Sequence, residues 1–191
     1  MNYNTYMGAP LKEKILFFLK NLRNPLVNGA FFPSSASAVD AMLGGIDFSN
    51  LRTIIELGPG TGPYTAELVR RAPPNCKIIL IELDADYAEL LKNKFGARVS
   101  VENGGAEFLE EVLRRHEIDI PDLIVSALPF LPHPKREKFF DALRRCTESG
   151  TILRFEMLLQ PWGIRVYRSL PIRKKTFVFR NIPPVWIYGI N

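Results

Sequence analysis

The stretch IIELGPGTGPYTAELV, residues 54–69, sets an apolar run against a helix-like one and places Gly58, Gly60 and Gly62 between them, with Pro59 and Pro63 interleaved. A glycine adopts positive φ at no steric cost and lets another group approach the backbone. A turn built this way either cradles a ligand or packs a helix tightly onto a strand. These residues alone leave both uses open.

Working outward, β-branched runs alternate with helix-like ones. Strands are expected over 52–57, 77–83, 98–102, 121–127 and 150–156, with helices over 61–71, 85–95, 105–116 and 134–146, the last opened by Pro134. Strands that are apolar throughout and separated by helices imply a parallel sheet covered on both faces, a doubly wound α/β domain. After residue 170 the rhythm changes. KKTFVFRNIPPVWIYGI, residues 174–190, holds two strand-like runs with no room for a helix between them, which predicts an antiparallel hairpin at the sheet edge.

Composition bounds the rest. A chain of 191 residues, 47% hydrophobic and 24% charged, fits one globular domain with a full core. No apolar run approaches the roughly 18 residues that cross a bilayer, and no secretory signal pattern opens the chain. Two cysteines without paired spacing argue against a disulfide framework or a metal site and for a reduced, cytoplasmic setting. Charge is uneven: residues 157–191 hold six bases and no acid, and residues 1–30 hold four bases against Glu13 alone, so the middle is acidic. Basic ends suit an anionic partner, nucleic acid or lipid headgroups. A solvated strand face fits the same charges.

In doubly wound sheets ligands bind beyond the carboxyl ends of the strands, where strand order reverses. The glycine turn lies at such an end. Glu56 closes the first strand, and Glu82 closes the second, 20 residues beyond Gly62, where a carboxylate can take both hydroxyls of a ribose. An acid ahead of the first glycine is unusual for dinucleotide-binding folds.

ELGPGTG at 56–62 followed by IELD at 81–84 resembles the first motif and the ribose-binding acid of class I S-adenosylmethionine-dependent methyltransferases. The resemblance implies a Rossmann-like fold, with a seven-stranded, mostly parallel sheet and an antiparallel edge hairpin, and it implies S-adenosyl-L-methionine as cofactor. Gly58, Pro59, Gly60, Thr61 and Gly62 would lie beneath the methionine and ribose, Glu56 would orient the amino-acid end, Glu82 would hold the ribose and Leu83 would cover one adenine face. Many relatives carry an acid in the third motif where ENGGAEF, residues 102–108, has Gly105. Adenine recognition then falls to the backbone of Gly105 and Ala106 or to Glu107.

SALPFLP, residues 126–132, follows the fourth strand. Enzymes that methylate a nucleobase amine usually place a side-chain amide or an acid there, followed by Pro and an aromatic, and Ser126 takes that position here. Ribosomal RNA adenine methyltransferases therefore resemble this chain through the core only, and they carry a helical domain beyond it. GAFFPSSASAVDAM at 29–42, taken with SALPFL and NIPPVWIY at 181–188, is similar to bacterial phospholipid N-methyltransferases, which methylate phosphatidylethanolamine towards phosphatidylcholine, and to relatives acting on ornithine lipids. The family analogy folds the 29–42 segment over the cofactor, with Ser34 and Ser35 capping its helix and Ser35 among the cofactor-binding residues. A plain cap on an additional helix fits the same serines.

Upstream, PLKEKILFFLKNLRN at 10–24 places Leu11, Ile15, Phe18, Leu19 and Leu22 on one helical stripe with Lys12, Lys14, Lys20 and Arg23 mostly off it. Such a helix either packs on the domain or lies in a headgroup layer. Residues 1–30 are accordingly expected as an N-terminal helical extension and 31–191 as the methyltransferase domain, peripheral on the inner face of the cell membrane. For chemistry, an ammonium acceptor must lose a proton before it attacks, and His133 and Glu156 are the candidate bases. Tyr3, Tyr6, Phe130 and Trp162 could hold a cationic amine by cation–π contact, and Arg165 and Arg168 the lipid phosphate. Three functions follow in order: a phospholipid N-methyltransferase, a ribosomal RNA adenine N6-methyltransferase, and a methyltransferase-like module without turnover.

Overall fold

Alternation along each strand decides how the core divides. Neighbours in the first strand go opposite ways: Ile54 joins Ile78, Leu80, Leu123 and Val125 in one apolar cluster, and Ile55 joins Ile79, Ile81 and Ile124 in the other. Both faces of the sheet are thus buried, which is why the strands read as unbroken apolar runs. The computed structural model describes residues 34–128, 136–158, 170–182 and 184–191. The expected N-terminal helix, His133, Pro134, Arg165, Arg168 and the aromatics Tyr3, Tyr6, Phe130 and Trp162 lie outside the described residues.

In chain order the elements are α1 (Ala36–Leu43), β1 (Thr53–Leu57), α2 (Pro63–Arg71), β2 (Lys77–Glu82), α3 (Ala85–Phe95), β3 (Ser100–Asn103), α4 (Leu109–Arg115), β4 (Leu123–Ser126), α5 (Arg136–Glu148), β5 (Ile152–Leu158), β6 (Lys174–Val178) and β7 (Val185–Ile190). They form one seven-stranded sheet of order β3-β2-β1-β4-β5-β7-β6. β1 to β5 pair in parallel, and β7 pairs antiparallel with both β5 and β6. The hairpin expected after residue 170 is present, and its second strand lies against β5 while its first forms the outer edge. Strand order reverses between β1 and β4, so the loops leaving those two strands are neighbours.

Several boundaries shift by one or two residues from the sequence expectation, and three of the differences have plain local reasons. α2 begins at Pro63 because Gly62 is left-handed, with φ of 81°. β3 begins at Ser100 because the chain first closes a 3-10 turn over Gly96–Arg98. The helix expected over 105–116 is a 3-10 turn at Ala106–Phe108 followed by α4. One face of the sheet is covered by α4 and α5 through Leu109, Leu113, Phe139 and Leu143. The other is covered by α1, α2 and α3 through Met42, Leu43, Tyr64, Leu68 and Leu91.

Candidate active site

The glycine loop is held from both sides. Gly58 N–H donates to the carbonyl of Ile81 (3.0 Å) and Gly62 N–H to that of Pro59 (2.9 Å). Gly58, Gly60 and Gly62 all have positive φ, at 68°, 56° and 81°, but their missing side chains serve different ends. A Cβ on Gly62 would meet the Phe95 and Leu91 side chains of α3 at 2.8 and 2.9 Å, so that position is bare to admit a helix. A Cβ on Gly58 would meet Leu128 at 2.9 Å. Around Gly60 there is nothing within 4 Å, which leaves its backbone facing open space at the carboxyl edge.

Two buried carboxyls flank this loop. Glu82 is 7% exposed; its Oε2 accepts from Gly60 N–H at 3.0 Å and its Oε1 from Asp84 N–H at 2.9 Å. Burial raises its pKa, against the lowering by those N–H donors. Glu56 has no exposed surface. Thr65 Oγ1 donates to its Oε2 at 2.7 Å, while Oε1 has no partner. Desolvation pushes the Glu56 carboxyl up to about 8.

At the ends of β2 and β3, Asn103 Nδ2 donates to the carbonyls of Glu82 and Leu83 (2.9 and 3.1 Å) and Gly104 N–H to that of Glu82 (2.9 Å). Beside them Leu83 and Phe108 stand 57% and 47% exposed. The Glu107 carboxylate folds over Gly105, where a Cβ would collide with it. Glycine in place of the acid of many relatives therefore makes room for an acid two residues on.

At the ends of β4 and β5, Ser126 is 2% exposed and its Oγ has no partner. Next to its β5 partner Phe155 lies Glu156, whose Oε2 accepts from Tyr64 Oη at 2.6 Å. The Ser34 side chain lies against the same pair. Burial raises Glu156, and the Tyr64 and Ser34 hydroxyls pull it back down. Burial, then the Glu156 charge, raises the Tyr64 phenol well above its ordinary value. Ser35 caps α1, its Oγ accepting from Ala38 N–H (3.2 Å), and its own N–H donates to Asn181 Oδ1 at 2.7 Å. Of the two serines expected to cap this helix, Ser35 does so, and its expected place among the cofactor-binding residues stays a proposal. Of the candidate positions, Glu56, the glycine loop, Glu82, Leu83, Gly105, Ala106, Ser126 and Glu156 come together along one edge of the sheet. Sequence reasoning missed Tyr64, Ser34's contact and Phe108. Tyr64, in the first turn of α2, reads as a core aromatic, and nothing local links it to a carboxylate 92 residues away.

The family model described as "Methyltransferase domain" matches residues 54–150. An ornithine lipid N-methyltransferase of Singulisphaera acidiphila is 31% identical over 185 residues, covering 93% of this chain and 95% of that protein. The chain is a class I S-adenosylmethionine-dependent methyltransferase. A ribosomal RNA small subunit methyltransferase A of Mycoplasma mycoides is 35% identical over 97 residues, which cover 50% of this methyltransferase and 32% of that protein. In fold, the methyltransferase is similar to Aeropyrum pernix fibrillarin with natively bound S-adenosyl-L-methionine, at a TM-score of 0.61 and 16% identity over 81% of this chain and 73% of that one.

The cofactor has a fitting cradle in this methyltransferase. Open space around Gly60, an orphan oxygen on the fully buried Glu56 and an orphan hydroxyl on Ser126 are what a molecule with a cationic amino acid at one end and a nucleoside at the other would satisfy. Among the described residues no group of three or more His, Cys, Asp or Glu could hold a metal ion, and no helix is long and apolar enough to cross a membrane.

Proposed function

We propose that this methyltransferase methylates the primary amine of a membrane aminolipid at the bilayer surface. The match to the ornithine lipid N-methyltransferase carries the reading, because it runs through nearly all of both chains and so includes the segments before and after the catalytic core. It makes an ornithine lipid the first acceptor to test and phosphatidylethanolamine the second.

In this reading Glu56 receives the ammonium of the cofactor's amino-acid end, Gly58 to Gly62 and Ser126 line its middle, Glu82 takes the ribose hydroxyls, and Leu83, Gly105 and Ala106 bound the adenine. The sulfonium of S-adenosyl-L-methionine supplies the electrophilic methyl. What the chain must add is alignment and a route for one proton, since an ammonium cannot attack. Of the two candidate bases, Glu156 has the more telling setting. A partly buried carboxylate with a raised pKa, fixed by Tyr64 at 2.6 Å, first pairs with the headgroup ammonium and takes one of its protons, and the neutral amine so formed then attacks the methyl carbon as the carbon–sulfur bond breaks. His133 is the second candidate. Arg165 and Arg168 are proposed to meet the lipid phosphate or carboxylate, and the helix expected over residues 11–22 to rest on an anionic membrane at its cytoplasmic face.

A nucleobase acceptor is favoured by the basic ends and by partial matches to ribosomal RNA methyltransferases, which this chain spans for 24–50% of their lengths. Against it stands Ser126, with one hydroxyl where an exocyclic amine needs an amide or an acid. Methyl-labelled S-adenosyl-L-methionine, offered with ornithine lipid vesicles, phosphatidylethanolamine vesicles and ribosomal RNA in separate reactions, decides among them. Label in the lipid phase is expected. Label in RNA alone would end the aminolipid reading, and cofactor uptake without label in any acceptor would leave a module without turnover.

A further inference from the structure

We infer that the β6–β7 turn is a membrane wedge that seats the acceptor site on a phospholipid bilayer. Topology places it. β7 runs antiparallel to β5, and β6 antiparallel to β7, so β6 ends at the same edge of the sheet as β1, β2 and β4. The turn that follows stands on the rim of the site that holds Glu82, Ser126 and Glu156.

The turn is also tied to that site. Asn181 is 4% exposed, and its Oδ1 accepts from Ser35 N–H at 2.7 Å. Ser34, one residue earlier, lies against Glu156. The buried Asn181 fixes the middle of the turn against the acceptor end, while its surroundings point the other way: Phe179 is 68% exposed and Ile182 is 67% exposed, the two most exposed large apolar side chains among the described residues. Phe177, in the strand leading to them, is 42% exposed. A turn that buries its Asn and exposes Phe and Ile reverses the usual polarity of a surface loop.

Charge selects the partner. The Arg180 guanidinium lies 5.6 Å from the centre of the Phe179 ring, and the Lys175 ammonium 4.3 Å from that of Trp186. No acid occurs between residues 157 and 191. Apolar tips with a basic collar match a bilayer carrying anionic lipid: Phe179 and Ile182 enter the acyl boundary, Arg180 stays with the phosphates and Trp186 belongs to the interfacial level. The choice of a bilayer over another partner rests on the aminolipid reading, because an amine in a headgroup is reached only if the rim of the site lies in the headgroup layer.

The test uses the full chain and phosphatidylcholine vesicles with and without phosphatidylglycerol, read by sedimentation, together with methyl transfer to aminolipid in vesicles and to a short-chain, water-soluble analogue. The double variant Phe179→Ser, Ile182→Ser is expected to lose vesicle affinity by about 10- to 100-fold, with a parallel loss of transfer in vesicles and unchanged transfer to the soluble analogue. Arg180→Gln is expected to lose part of the extra affinity that phosphatidylglycerol confers and none of the affinity for phosphatidylcholine alone. In a Phe179→Trp variant, lipid brominated in its acyl chains should quench fluorescence beyond what it quenches in the wild type. Wild-type vesicle affinity in the double variant, or no added quenching in Phe179→Trp, overturns the wedge. So does loss of self-association instead of vesicle binding, which would assign the patch to a second copy of the chain. If the wild type binds vesicles through Phe179 and Ile182 but methylates no lipid, the wedge stands and the proposed substrate falls. If transfer proceeds and the double variant binds normally, the substrate stands and the wedge falls.

Discussion

Glu56 holds its proton up to about pH 8, whereas an exposed glutamate releases it near 4.5. Between these values the folded chain carries a proton that the unfolded chain lacks. Stability is therefore greatest at the acid end of that window, falls as pH rises towards 8 and is flat above it. Glu82 and Glu156, raised by the same burial, add to the decline, so Glu56→Gln should flatten it only in part. Denaturant midpoints of the cofactor-free protein at pH about 5 and about 8 check this, and equal slopes in wild type and variant would contradict it. Glu82→Ala removes the proposed ribose acceptor and should weaken cofactor binding by about 10- to 100-fold in calorimetry. Tyr64→Phe deletes the 2.6 Å hydrogen bond to Glu156. It should lower kcat about 10-fold and move the acid limb of the pH–rate profile, with the KM for cofactor unchanged. A fall in kcat with an unmoved profile would leave Tyr64 a packing role alone. The candidate site was legible in sequence where neighbours in the chain are neighbours in space, as in ELGPGTG and IELD. Tyr64 with Glu156 and Ser35 with Asn181 join residues 92 and 146 apart, and no local pattern encodes such pairs.

Within the element that joins β1 to α2, two glycines with similar φ predict opposite phenotypes. Gly62→Ala would force a Cβ onto Phe95 and Leu91 and hold alanine at φ of 81°. It should cost about 2–4 kcal/mol of stability, read as a lower midpoint of thermal unfolding. Gly60→Ala meets nothing within 4 Å and should cost only about 1 kcal/mol for its positive φ, yet its methyl would enter the space reserved for the cofactor. Cofactor affinity should fall with little change in unfolding. The reverse assignment of effects would place the ligand elsewhere on the loop. At this scale the strands and helices were readable from β-branched runs alternating with helix-like ones, and the boundaries were not, because Gly62 at φ 81° and Gly96 at φ 55° redirect the chain where propensity says continue.

At the scale of the whole molecule, the parallel sheet and the edge hairpin followed from the alternation of patterns, whereas the order of the strands comes from the structure. Which strand of the hairpin lies inward did not, since both runs read as strands and only pairing with β5 separates them. That choice matters, because it brings the β6–β7 turn to the carboxyl edge of the sheet, where Asn181 meets Ser35. The acceptor is the claim on which the rest of the functional account turns. Mass spectrometry of ornithine lipid and phosphatidylethanolamine recovered from vesicles incubated with the protein and S-adenosyl-L-methionine reads it directly. A headgroup fragment heavier by one or more methylene units, absent when S-adenosyl-L-methionine is left out and reduced in Glu82→Ala at low cofactor, is expected for at least one of the two lipids. Unchanged lipids, alongside a protein that takes up the cofactor and methylates ribosomal RNA, would contradict it.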